Sequence, residues 1–109
     1  MKKLTIEVYG RVQGVNFRNN VKNFCDRNSI EGEVMNRDDG SVLIVAEGIA
    51  EDIERFIEWL EQNPGFSKVD NIKVKEIKNK KEYAGFDIVK EYPYLKDKAR
   101  ALDNLIRKL

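Results

Sequence analysis

Leu4, Ile6 and Val8 alternate with Thr5, Glu7 and Tyr9, and this period of two predicts a β-strand that ends at Gly10. A glycine-bearing loop follows, and then the period changes. Phe17, Val21, Phe24, Cys25 and Asn28 fall at helical spacing, with Arg18, Asn19, Lys22 and Arg27 on the other face. Ser29 is read as the break in this helix. Residues 31–37 form a second predicted strand, and Asp38-Asp39-Gly40 a hairpin turn, because Gly accepts positive φ and Asp suits the position before it. Residues 41–47 make a third strand. It is apolar on both faces (Val42, Ile44 and Ala46; Leu43 and Val45), which places it in the middle of a sheet.

Gly48 is read as the start of a second helix, with an apolar stripe of Ile53, Phe56, Ile57 and Leu60. Glu51 and Arg55 are spaced for an i,i+4 ion pair on it, Trp59 borders the stripe, and Asn63-Pro64-Gly65 stops it. Residues 69–78 and 85–90 are a fourth strand and a short fifth, and the charged stretch 78–82 between them reads as a solvated turn. Strand, helix, strand, strand, helix, strand is the ferredoxin-like α+β arrangement, a split βαβ with both helices on one face of an antiparallel sheet. The right-handed crossover rule leaves few other windings. We expect one domain over residues 1–91 and a C-terminal amphipathic helical extension over residues 92–109. In that tail Leu95, Ala99, Leu102, Ile106 and Leu109 recur at steps of four and three, opposite Lys96, Lys98, Arg100 and Arg107. Packing on its own domain, weak homodimerisation, and contact with a partner or membrane all remain open for this stripe.

Composition narrows the function classes. The 109 residues suffice for one core, since a chain of this size buries roughly 65% of its unfolded surface. Lys+Arg of 20 against Asp+Glu of 19 leaves a net charge of +1, so no overall field recruits nucleic acid or an anionic membrane. Cys25 is the only cysteine. No internal disulfide can form, and with no signal-peptide core and no membrane-length apolar run the expected location is the cytoplasm. Lying with Val21 and Phe24, Cys25 is read as a buried, inert thiol, and Asp38 and Asp39 as turn residues, not metal ligands. There is no histidine, which removes the commonest general base and zinc ligand.

The candidate chemistry sits in the loop Gly10-Arg11-Val12-Gln13-Gly14-Val15-Asn16-Phe17-Arg18. Its glycines let the backbone turn and expose N–H groups, and the first turn of the next helix adds unpaired donors and the positive end of its dipole. Arg18 lies in that turn, and its planar fork suits two parallel bonds to phosphate oxygens. The loop is neither a Walker loop nor a dinucleotide fingerprint, and taken alone it also fits a purely geometric role. Asn36, sharing a face with Val34 and Gly32, offers one amide acceptor and donor; a turn asparagine bonding its own backbone is the other reading.

In combination, GRVQGVNFR, then GEVMN, DDGSV and the Ala-Glu-Gly that closes the third strand resemble the acylphosphatase family, in order and spacing, over the chain up to the tail. The resemblance implies hydrolysis of a small-molecule acyl phosphate to carboxylate and phosphate, with no metal, cofactor or covalent intermediate. It implies that Arg18 binds substrate, that Gln13, Gly14, Val15, Asn16 and Phe17 form the phosphate cradle, and that Asn36 positions the attacking water. Ser41 falls where the family often supports the site with Thr or Ser. Asn16 departs from the family, where small or aromatic residues are more usual, and the tail runs past the family's end. An acyl phosphate already carries a good leaving group, so positioning and charge stabilisation suffice without histidine. Two other readings stand. One is a non-catalytic anion- or RNA-binding module, for which Tyr9 alone offers a stacking surface on the first and third strands. The other is an accessory domain acting on carbamoyl phosphate in a maturation pathway.

Overall fold

The structure is a computed structural model that describes residues 1–90. In chain order its elements are β1 (Lys2–Arg11), α1 (Phe17–Arg27), β2 (Glu31–Asn36), β3 (Val42–Gly48), α2 (Ala50–Glu61), β4 (Lys68–Glu76) and β5 (Phe86–Val89). They form one five-stranded sheet in the order β4-β1-β3-β2-β5, so β3 is central as its two apolar faces predict. β1 pairs antiparallel with β3 and β4, and β2 pairs antiparallel with β3. The fully antiparallel expectation fails at β5, which runs parallel to β2. β4 ends beside the start of β1, on one edge. The chain crosses to the other edge at that same end, where β2 also begins, and must run alongside β2 from there.

Alternation along β1 turns Leu4, Ile6 and Val8 to one side, where Val34, Val42, Ile44 and Ala46 join them in the core. Phe17, Val21 and Cys25 of α1 and Ile53, Phe56 and Leu60 of α2 close over them. Full burial of such side chains contributes about 1.5–3 kcal/mol each, which makes this layer the main source of stability. Phe24, Phe56 and Trp59 stack between the helices, with ring centroids 4.6–6.1 Å apart. Burial pushes the Cys25 thiol well above its usual range and keeps it unreactive.

Several local readings change. β1 continues through Gly10 to Arg11 by a bulge between Tyr9 and Gly10. At Gly10 (φ +132) an added Cβ would lie 2.1 Å from the Lys68 carbonyl oxygen, so only glycine fits. Gly48 closes β3, and α2 begins at Ala50. Arg55 pairs with Asp52, one turn back at i,i+3, and not with Glu51; both spacings share a helix face, and the half-turned Asp52 is the buried one. The predicted tail helix, residues 92–109, lies outside the described residues. Among the described residues no helix is long and apolar enough to cross a membrane.

The stretch read as a solvated turn is also a strap. Its side chains are largely exposed, but the Asn79 and Lys81 carbonyls accept hydrogen bonds from Lys3 Nζ, as does Asn79 Oδ1 at 2.9 Å. Lys3 is only 9% exposed and also pairs with Glu47 at 3.5 Å. Lys81 reaches Glu33 at 3.4 Å, and the Tyr83 hydroxyl donates to Glu33 Oε1 at 3.3 Å. These contacts fasten the crossing chain to β1 and β2 on its way to β5. Replacing Lys3 by Met leaves several part-buried acceptors unpaired. It is expected to lower the unfolding free energy by about 1–3 kcal/mol, read from urea denaturation; unchanged stability would mean that other contacts hold the strap.

Candidate active site

Val12 and Phe17 are each 1% exposed and anchor the two ends of the β1–α1 connection in the core. The arch between them, residues 13–16, has to reverse direction within four residues. It does so with Gly14 at φ +73 and Asn16 at φ 62, ψ 22, both in the left-handed region. Asparagine is among the few non-glycine residues that adopt this conformation readily, and its side-chain Oδ1 accepts a bond from Asn19 Nδ2. The backbone therefore accounts for the Asn16 departure. No side chain caps α1. The N–H groups of residues 14–19 find no acceptor among the described residues, so the arch and first helical turn present a run of open donors.

These donors border a cleft of about 360 Å³. One wall is the arch and helix start: Val12, Gly14, Asn16, Phe17, Arg18 and Asn19. The other is the sheet end: Asn36, Ile88 and Lys90. Arg18 is half-buried, and its guanidinium makes no hydrogen bond or ion pair among the described residues. Asn36 is the last residue of β2. Its Oδ1 is buried without a hydrogen-bond partner, a condition that costs about 1–3 kcal/mol and marks a place for a donor.

Of the residues singled out by the sequence, Gly14, Asn16, Phe17, Arg18 and Asn36 meet at this cleft. Gln13, Val15 and Ser41 do not line it. Gln13 Nε2 donates to the Arg37 and Ser41 carbonyls at 2.7 and 2.8 Å, which staples the arch to the β2–β3 turn. Val15 packs against the core. Both can offer a ligand only their backbone. Ser41 is 1% exposed; its hydroxyl donates to Asp39 Oδ1 and accepts from Arg37 Nε. Ser41 therefore holds the turn behind Asn36 and does not itself line the cleft.

The same turn is braced from β1. Arg37 Nη2 lies 3.0 Å from Glu7 Oε2 and 3.3 Å from the Tyr9 hydroxyl, which itself donates to Glu7. The Tyr9 hydroxyl, and after it the Arg37 guanidinium, hold the Glu7 carboxyl below its ordinary range. The Ser41 hydroxyl and N–H do the same for Asp39. Asp38 and Asp39 are turn residues, as expected, and among the described residues no three His, Cys, Asp or Glu side chains gather as a metal site would require. Sequence reasoning missed Asn19, Ile88 and Lys90. The signal for the last two was the short final strand, which becomes informative only once its parallel pairing beside β2 is known.

An arch of open N–H groups, an arginine and an amide around one cleft, on this sheet, define a small α+β protein with a cleft whose chemistry suits an anion. The acylphosphatase family model matches residues 4–88. The acylphosphatase of Bacillus licheniformis is 42% identical over 88 residues, 81% of this chain and 98% of the relative. The crystal structure of acylphosphatase from Bacillus subtilis superposes with a TM-score of 0.77 at 42% identity, covering 82% of this chain and 99% of that one. A structure of an acylphosphatase from Coxiella burnetii gives 0.75 at 32% identity, covering 81% and 92%. The chain belongs to the acylphosphatase family, and is a hydrolase.

The staple yields a test. Gln13→Met keeps length and loses both donors. It is expected to reduce kcat roughly ten- to a hundred-fold through misplacement of arch against Asn36, with the protein still folded by circular dichroism. Wild-type kcat in that variant would remove Gln13 from the support of the site.

Proposed function

We propose that this acylphosphatase cleaves small-molecule acyl phosphates at the cleft between the arch and the end of β2, without a metal. The observation that carries the reading is that the arch with its open N–H donors, Arg18 and Asn36 line one cleft, and that the buried Asn36 Oδ1 has no partner among the described residues. The phosphoryl oxygens take the N–H groups of the arch and the two-pronged fork of Arg18. A water donates one O–H to Asn36 Oδ1, which turns its lone pair toward phosphorus. The new bond forms from water oxygen to phosphorus, and the bond from phosphorus to the acyl oxygen breaks. The carboxylate leaves with that electron pair, and both protons of the water end on the phosphate.

No general base or acid is required by this scheme, because the leaving carboxylate is already a weak base; the protein supplies orientation and charge stabilisation. The single, buried Cys25 fits a reducing cytoplasm. We read the protein as a monomer or weak homodimer that does not take nucleic acid as its ligand, with the apolar stripe of the tail as the surface for any self-association.

The roles separate by mutation. Arg18→Ala is expected to weaken phosphate inhibition and activity together, and Arg18→Lys not to restore them, since a point charge lacks the fork. Asn36→Ala is expected to lower kcat by about 10²–10³ while phosphate still binds. A folded Arg18→Ala enzyme with normal phosphate affinity would refute the cradle; near-normal kcat in folded Asn36→Ala would take Asn36 out of the mechanism.

Activity is expected to survive excess chelator. Inorganic phosphate at about a hundred times its Kd should raise the unfolding free energy by about 2.7 kcal/mol, since it binds only the folded state. Loss of activity on chelation, restored by a divalent ion, would overturn the metal-free scheme.

A further inference from the structure

The sheet wall of the cleft carries a cation of its own. β2 and β5 are in register at Met35 and Val89, so one step further on Asn36 and Lys90 stand side by side. Adjacent strands are about 4.8 Å apart. Both residues line the cleft, as does Ile88 two positions before Lys90. Lys90 thus faces the α1 wall, where Arg18 sits. The lining holds these two cations and no carboxylate, and neither cation forms an ion pair among the described residues.

Charge balance gives the pair a purpose. A phosphoryl group on an ester or anhydride carries close to two negative charges at neutral pH. Arg18 offsets one, and the partial charge of a helix N-terminus is about half of another. We propose that Lys90 is a second phosphoryl-binding residue, gripping the transferred group from the sheet wall while Arg18 grips it from the helix wall. The proposal rests on the cleft being the phosphoryl site, as read above. A lysine ammonium has no fixed fork, so it follows the oxygens as the phosphoryl group flattens and holds ground and transition states alike. Its effect therefore falls on binding and not on kcat.

The test uses the full chain, inorganic phosphate as inhibitor and benzoyl phosphate as substrate. Lys90→Met is expected to raise the phosphate inhibition constant and KM together by roughly three- to ten-fold at low salt, the range of one screened charge contact. Its kcat should stay within about two-fold of wild type. The difference should shrink toward unity near 1 M salt, where the screening length is about 3 Å. Lys90→Arg should remain within about two-fold throughout. Lys73→Met, at an exposed lysine over the Tyr9 ring on the far side of the sheet, controls for net charge. An unchanged inhibition constant in Lys90→Met, an equal rise in Lys73→Met, or a fall in kcat alone would each overturn the proposal. If Lys90→Met is silent while Arg18→Ala loses phosphate, the second cation fails and the cleft stands. If both are silent, the cleft itself is misassigned.

Discussion

The arch can exist only because its two ends are pinned. Val12 and Phe17 are both in the core, and the connection between them is too short to do anything but turn tightly. That constraint is met by left-handed backbone at Gly14 and Asn16, and in the resulting turn the N–H groups of residues 14–19 find no acceptor among the described residues. The open donors of the site are therefore a consequence of the hydrophobic core. Releasing either anchor would let the arch relax into ordinary turn hydrogen bonds and remove the proposed anion site with no change to any cleft-facing side chain.

The two faces of the sheet divide the work. On the helix face lie the core and, at one end, the cleft. On the other face Glu7, Tyr9 and Arg37 form a bonded group that holds the turn following Asn36, while Lys3 and the strap bring the chain across to β5. Gln13 connects the halves, because its carboxamide bonds carbonyls of that same turn. Arg18 and Asn36 come from segments with no sequence proximity. Their relative position depends on β2 being held in register with β3 and on this bracing of its last residues. Side chains that never face the cleft thus determine its geometry.

What the sequence made legible follows from which interactions are local. The period of two in residues 4–9, the helical spacing from Phe17 and the Asp38–Gly40 turn each depend on neighbours in the chain, and each is found where it was read. So is the central place of β3, since its two apolar faces leave no edge position. The parallel pairing of β5 depends on where a distant edge strand ends, and no local pattern encodes that. Lys3 looks like half of a basic N-terminal pair, because its partners, Asn79 and Lys81, lie over seventy residues away. Gln13 was read into the cradle and Ser41 as its support, but the direction of their side chains was hidden. Bonds to a carbonyl and to a ligand require the same donor types, and only coordinates distinguish them. Asn16 was noticed as a departure without a reason, because backbone conformation, not chemistry, selects it.

A binding site of this kind is a place where the fold does not satisfy itself. Unpaired N–H groups at the arch are open to water, but the Asn36 oxygen is buried without a partner, and its burial costs about 1–3 kcal/mol. Against a core of more than a dozen buried apolar side chains, that loss is tolerable in a domain whose net stability is commonly about 5–15 kcal/mol. The loss also has a direction. In the proposed scheme, a group already stripped of solvent and held by a braced strand needs no reorganisation when a water and a phosphoryl group arrive, so its interaction with them acts in full at the moment of reaction. Replacing Asn36 with an apolar residue would remove the unpaired oxygen, and a gain in stability together with a loss in rate is the signature of strain that serves catalysis. Asn36→Leu is accordingly the informative substitution: in the proposed scheme the buried acceptor and the water-orienting group are one atom, and stability and turnover should move in opposite directions.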